Sequence, residues 1–274
     1  MTNYYKSFDN LDLAYLDEGE GLPLLMLAGL TRNAHDFDHV VPHLPGVRII
    51  RPDYRGRGQS AYAPPETYTI PTETNDILRL LDHLEIDRAA VLGTSRGGLI
   101  GMSMAAIAKD RLLGLCLNDI GPEIDPSGLA AIEQYLGRKP TQKSYEDAAK
   151  ARAALLIDFH NVPYSRWLAE VRAHYRETEN GLELRYDPKL RDAFLAASDA
   201  PMPDLWPLFD ALEGLPLALL RGENSNILSK ETAEKMYAKR PDMSYAEVTD
   251  RGHVPFLDEP ESLSALRVWL KELQ

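Results

Sequence analysis

Short apolar runs alternate with amphipathic stretches over the first third of the chain. Tyr4–Phe8 and Leu11–Leu16 flank Asp9-Asn10 and predict a β-hairpin. Leu22–Leu27 is a continuous apolar run ending at Ala28-Gly29, as expected of a strand buried on both faces. Val47–Arg51, Ala89–Leu92 and Leu113–Leu117 predict further strands. Asn33–Leu44 places Phe37, Val40, Val41 and Leu44 at helical spacing, with Pro42 interrupting its last turn. Ile77, Leu78, Leu80, Leu81 and Leu84 form a stripe opposite Asp76, Arg79, Asp82 and His83. Gly97–Ala108 predicts the next helix. This rhythm predicts a mostly parallel sheet with helices on both faces.

The rhythm stops at Gly121. To about Ala211 the pattern is helical and amphipathic, without buried-strand runs. It resumes with a strand at Leu215–Leu220, a helix at about Lys230–Lys239 and a strand at Met243–Val248. A final helix follows, with Asp258 as its expected N-cap, Pro260 in its first turn and Glu261 completing a capping box. The expected organisation is one α/β domain, residues 1–120 and 212–274, interrupted by a helical cap over residues 121–211.

Composition narrows the function classes. The 274 residues are 44% hydrophobic and 26% charged, enough for a substantial core in a globular protein. The formal net charge of −12 repels phosphate backbones and anionic lipid surfaces, so neither nucleic acid nor a membrane is an expected partner. The N-terminal residues lack the apolar region of a signal peptide, and no apolar run approaches the ~20 residues of a bilayer span. The single cysteine, Cys116, lies in a predicted strand, which excludes an intrachain disulfide and a cysteine-based zinc site. A cytoplasmic location is the expectation.

Gly93-Thr94-Ser95-Arg96-Gly97 fits the pattern G-x-S-x-G. It directly follows one predicted strand and opens the next predicted helix, the strand–turn–helix setting that lifts a serine hydroxyl above the sheet edge. Backbone N–H groups and the helix dipole there favour developing negative charge. A plain helix-capping serine in a glycine-rich turn is the alternative.

Here the chain resembles the α/β-hydrolase superfamily over nearly its whole length. The resemblance rests on Leu27-Ala28-Gly29-Leu30-Thr31, on Arg51-Pro52-Asp53-Tyr54-Arg55-Gly56-Arg57-Gly58-Gln59-Ser60, on the Ser95 turn, on Arg221-Gly222-Glu223-Asn224-Ser225 and on Gly252-His253. It implies an α/β-hydrolase fold with an inserted helical cap, Ser95 as nucleophile, and an oxyanion hole from the backbone N–H groups of Leu30 and Arg96. The chain departs from the family by Ala28-Gly29 where His-Gly is usual, and by Ser225-Asn226 where an aspartate is frequent.

Of the seven histidines, His253 follows the last predicted strand and reaches the Ser95 edge, in the chain order nucleophile, acid, histidine. His35, His39 and His43 have i, i+4 spacing but no acidic third ligand, so a solvated helix face is expected and no metal. His83 belongs to a polar face, and His160 and His174 are expected at the surface of the cap. The acid is less determined. Asn226 occupies the family's frequent acid position and cannot stabilise an imidazolium, while Glu223 lies earlier in that loop. Asp119 comes one helix and one strand after Ser95, and parallel strands end on one edge, so it should emerge beside Ser95. The run Leu117-Asn118-Asp119-Ile120-Gly121-Pro122 is similar to superfamily members that take their acid there.

Gly56-Arg57-Gly58-Gln59-Ser60-Ala61 matches a dinucleotide fingerprint, but Pro64-Pro65 preclude the helix it needs, so it is read as a loop bordering the site. Arg96 is expected to pair with Asp53 or another rim carboxylate, and Arg32 either pairs or meets substrate. Trp167 and Trp206, with Tyr135 and Phe159, are candidates for an apolar substrate pocket. The expected activity is hydrolysis of a small ester or lactone, neutral by default given the net charge, with water as co-substrate and no cofactor. A lyase or cofactor-free oxygenase on the same scaffold, or a receptor with impaired turnover, are the alternatives; oligomeric state is not encoded in these motifs. A serine at the turn argues against dehalogenase or epoxide hydrolase chemistry.

Overall fold

The uninterrupted apolar runs become the middle of the sheet. A computed structural model of the chain describes residues 1–198 and 201–274. A hairpin of β1 (Asn3–Lys6) and β2 (Asp12–Glu18) opens the chain, followed by β3 (Leu22–Leu27), β4 (Val47–Pro52), α1 (Ile70–His83), β5 (Ala89–Thr94), α2 (Arg96–Ala108) and β6 (Leu112–Asn118). The segment after β6 carries α3 (Pro126–Tyr135), α4 (Tyr145–Leu155), α5 (Tyr164–His174), β7 (Tyr175–Thr178), β8 (Gly181–Leu184), α6 (Leu190–Ser198) and α7 (Trp206–Asp210). Then come β9 (Leu217–Gly222), α8 (Lys230–Lys239), β10 (Ser244–Val248) and α9 (Pro260–Glu272).

The main sheet has eight strands in the order β1-β2-β4-β3-β5-β6-β9-β10. From β4 to β10 all neighbours are parallel, and only the β1–β2 and β2–β4 pairs are antiparallel. Helices α1, α2 and α8 cover one face through Ile77, Leu80, Ile100, Met104 and Met236. On the other face, α9 inserts Leu263, Leu266 and Trp269 beside Phe37 and Val40. Both faces are therefore buried, which is why the central strands read as continuous apolar runs. Cys116 is buried in β6, where burial pushes its thiol up, so it is packing and not a nucleophile. No described helix is long and apolar enough to cross a membrane.

Three sequence expectations change. The helix expected over Asn33–Leu44 is two short 3-10 turns, Ala34–Phe37 and Val41–His43, because Pro42 cannot donate within a continuing helix. His35, His39 and His43 thus share no α-helical face; His35 pairs with Asp38 at 2.9 Å. The segment after β6 is not purely helical, since β7 and β8 form an antiparallel hairpin. Glu259, not Asp258, stands at the N-cap position of the last helix, and its side chain caps no backbone N–H there. Glu259 accepts from Ser262 Oγ, Phe256 N–H and Arg251 Nε at 2.8–2.9 Å, while Asp258 is drawn away to Arg166.

Candidate active site

The turn between β5 and α2 is tight enough to force Ser95 to φ 51°, a left-handed conformation that places its side chain at the C-terminal edge of the sheet. Small neighbours make the turn possible. A Cβ at Gly93 would meet the Gly97 carbonyl at 2.5 Å, and one at Gly97 would run into the Leu27 carbonyl.

Asp119 continues β6 beyond its last paired residue, held by its N–H donating to the Leu220 carbonyl at 2.8 Å. Its carboxylate is fully buried and accepts three bonds: from Gly222 N–H at 2.8 Å, Ser225 Oγ at 2.6 Å and His253 Nδ1 at 2.7 Å. His253 Nε2 lies 2.9 Å from Ser95 Oγ. A continuous chain of hydrogen bonds therefore runs Ser95–His253–Asp119. The loop that carries His253 is anchored where Asn118 Nδ2 donates to the Pro255 carbonyl at 3.2 Å.

Neither alternative acid takes part. Glu223 is exposed and accepts from Asp250 N–H at 3.1 Å, and the exposed Asn226 makes no contact with His253. The position after β9 contributes Ser225 instead, whose hydroxyl orients the acid from β6. Sequence reasoning did not find Ser225 or the Gly222 N–H, because both act only through a residue about a hundred positions earlier.

Among the described residues, the backbone N–H groups of Leu30 and Arg96 donate to no other group. The arrangement around them is fixed by charge. Glu73, fully buried on α1, pairs with Arg57 Nη1 at 2.7 Å and Arg96 Nε at 2.6 Å. Burial pushes the Glu73 carboxyl up, but the two arginines hold it below the usual carboxylate range. Arg57 Nε in turn donates to the Leu30 carbonyl at 2.9 Å. One carboxylate so links the loop of Leu30 to the turn of Ser95. The partner of Arg96 is Glu73 and not Asp53, which accepts from the N–H groups of Ala34 and Gln59 at 2.8 Å. The Gly56–Gly58 loop meets the inserted segment: Gly58 N–H donates to the Arg185 carbonyl and Asp187 N–H to that of Gly56, both at 2.8 Å.

A cavity of about 470 Å³ lies over this edge, bounded by Thr94, His253 and the segment between β6 and β9. That volume suits a small molecule. Tyr135, Phe159 and Phe256 line it, as do four cations (Arg32, Arg138, Lys139, Arg152) and three carboxylates (Asp36, Asp158, Glu170). Neither candidate tryptophan does. Trp167 is buried behind the wall, packed edge-on at 5.9 Å from Phe159 and 6.0 Å from Phe256. Trp206 packs on Phe209 and donates from Nε1 to Glu123 at 2.9 Å, outside the cavity. Amphipathic spacing turns both rings inward, Trp167 buried and Trp206 half-buried, but does not say against what.

His174, expected at the surface, is buried at the cavity wall. Burial and the nearby Arg32 push its pKa well below the ordinary histidine value, so it is neutral. With Asp36 and Glu170 it brings three potential ligand atoms within 4.8 Å of one another. Arg32 Nη1 lies among them, against the His174 ring and 3.9 Å and 3.8 Å from the two carboxylates. The chain therefore supplies its own cation there, and a metal ion would have to displace it.

Fold and site together define an α/β hydrolase: residues 23–260 match the alpha/beta hydrolase fold family, and the chain belongs to it. Among its relatives, the 3-hydroxybutyrate-oligomer hydrolase of Cupriavidus necator is 34% identical over 254 residues, covering 88% of this chain and 85% of that protein. The crystal structure of an α/β hydrolase from Novosphingobium aromaticivorans superposes with a TM-score of 0.92 at 38% identity, covering 99% of this chain and 98% of the other. The 2-(acetamidomethylene)succinate hydrolase of Mesorhizobium japonicum is 26% identical over 240 residues, 86% of this chain and 83% of that protein.

Proposed function

We propose that the protein is a serine hydrolase of small carboxylic esters or lactones, with residues 121–211 as the cap that shapes its substrate site. The observation that carries this reading is the hydrogen-bonded chain from Ser95 Oγ through His253 to the buried Asp119. Ser95 Oγ attacks the ester carbonyl while its proton passes to His253 Nε2. Asp119 keeps Nδ1 protonated and offsets the imidazolium charge. The Leu30 and Arg96 N–H groups, free of other partners, receive the tetrahedral oxyanion. His253 then protonates the departing alcohol. Water, deprotonated by His253, releases the acid from Ser95 and restores the enzyme. The reaction balances with ester and water alone.

The hydroxybutyrate-oligomer hydrolase among the relatives supports an ester bond as the target, and a linear 3-hydroxybutyrate dimer is a suitable first substrate. A fluorophosphonate probe should label Ser95, and Ser95→Ala should abolish both labelling and cleavage of short-chain p-nitrophenyl esters. Asp119→Asn should lower kcat by about 10⁴, the scale of removing a triad carboxylate while keeping its shape. Glu223→Gln should change kcat by less than about twofold, since Glu223 meets only a backbone N–H. Intact turnover in Asp119→Asn, or an unlabelled Ser95, would overturn the assignment.

A further inference from the structure

The net charge of the chain argues for a neutral substrate, but the cavity wall does not share that charge. Cations outnumber carboxylates around it. Two of these cations, Arg32 and Arg152, meet at the cluster around His174, and their hydrogen bonding is incomplete. Asp36 Oδ1 is engaged with His174 Nε2 at 2.9 Å and stands 3.9 Å from Arg32 Nη1. Glu170 Oε2 is shared between Arg32 Nη1 at 3.8 Å and Arg152 Nη2 at 3.5 Å, beyond the length of a good charge-assisted bond to either. Arg152 Nε is buried with no acceptor. Among the described residues, Arg32 Nε and Nη2 and Arg152 Nη1 make no hydrogen bond. Burial and the neighbouring Arg32 lower the Arg152 guanidinium despite Glu170, as expected of a cation short of anionic partners.

The cluster also stands at the right place. A Cβ at Gly29 would lie 3.3 Å from Arg32 Cγ and 3.9 Å from Ser95 Cβ, so the stems of Arg32 and Ser95 converge on this one glycine. An ester carbonyl seated on Ser95 can extend its remaining chain over Gly29 toward the two arginines.

We propose that Arg32 and Arg152 form a carboxylate subsite, and that the preferred substrate is an ester whose far end carries a free carboxylate. The planar guanidinium fork matches a carboxylate in two-point geometry, and the open N–H groups are the donors it needs. This rests on the ester-hydrolase reading above and names the substrate class for that same site.

The test compares two esters with the same scissile bond, the linear 3-hydroxybutyrate dimer and its methyl ester, with cleavage at the central ester followed by chromatography. The wild-type enzyme should prefer the free acid by about ten- to a hundredfold in kcat/KM, the range of hydrogen bonds to a charged group. Arg152→Gln and Arg32→Gln should each shrink that ratio about tenfold, and Arg152→Lys should retain part of it. Should the variants fail to fold, inhibition of the wild type decides: free 3-hydroxybutyrate should inhibit at concentrations where methyl 3-hydroxybutyrate does not. A wild-type ratio near one, equal inhibition by the two compounds, or variants that lose both esters in proportion would overturn the subsite while leaving the hydrolase reading intact. An unlabelled Ser95 with neither ester cleaved would remove both.

Discussion

Two clusters of arginine and carboxylate near Ser95 differ in how closely their ion pairs are made. Around Glu73 every carboxylate oxygen has a cation at 2.6–2.7 Å, Arg57 also donates to the Leu30 and Arg55 carbonyls and Arg96 to that of Tyr68, while Arg57 Nη2 is buried without an acceptor. Arg57 also lies over the rings of Tyr54 and Tyr68, at 5.6 Å and 5.4 Å from their centroids. Around His174 the separations are 3.5–3.9 Å, the imidazole occupies one carboxylate, and donors are left over. Both combine arginines with carboxylates, and the second adds a histidine. A tightly paired cluster fixes geometry, here the positions of Leu30 and Arg96, whereas a loosely paired, open one next to a cavity can take a ligand.

This contrast is open to direct attack. The largest effect should come from Glu73→Gln, which strands two buried guanidinium groups. A loss of about 3–5 kcal/mol of stability is expected, read by chemical denaturation, together with a lower kcat as the Leu30 loop and the Ser95 turn lose their shared anchor. The corresponding change in the open cluster, Glu170→Gln, should cost about 1 kcal/mol or less, because its ion pairs are long and partly wetted. Equal costs would show that the two clusters are of one kind.

The smallest effect concerns pH. His174 has a folded-state pKa depressed by burial and Arg32, so from its unfolded pKa of about 6.5 down to the folded value the unfolded chain binds the extra proton. Stability should therefore fall as pH drops below about 6.5. His174→Gln should lessen that slope between pH 7 and pH 5, seen in thermal midpoints. Asp36, raised by burial, pulls the other way at lower pH, so the comparison with the wild type is the informative one.

The fold was legible because its signals are local. An apolar run bounded by turn residues is a strand whatever surrounds it, and the small residues around Ser95 report a tight turn by themselves. Asp119 and His253 could be placed because a parallel sheet delivers strand ends to one edge. The rest depends on partners remote in sequence. Glu73 falls on the apolar stripe of α1, four residues before Ile77, unlike the exposed Asp82, but the spacing does not say which cations it meets. The β7–β8 hairpin went unseen because both strands are four residues long and largely polar. Trp167 and Trp206 have the spacing of buried residues, but periodicity gives a direction and not a neighbour. His174 was misplaced for the same reason.

The clasp between residues 56–58 and 185–187 carries a different lesson. Its two backbone bonds make up the Arg57–Tyr186 bridge, and Tyr68 Oη donates to Asp187 at 2.6 Å. The segment between β6 and β9, the roof of the cavity, is therefore fastened to the core away from its covalent ends, here as well as at His160–Asp250 and Arg166–Asp258. Exchanging the roof between relatives by cutting only at β6 and β9 would carry over half of a fastening and leave the other half behind. A chimera that exchanges the roof together with the 54–68 loop should fold where the simpler one does not.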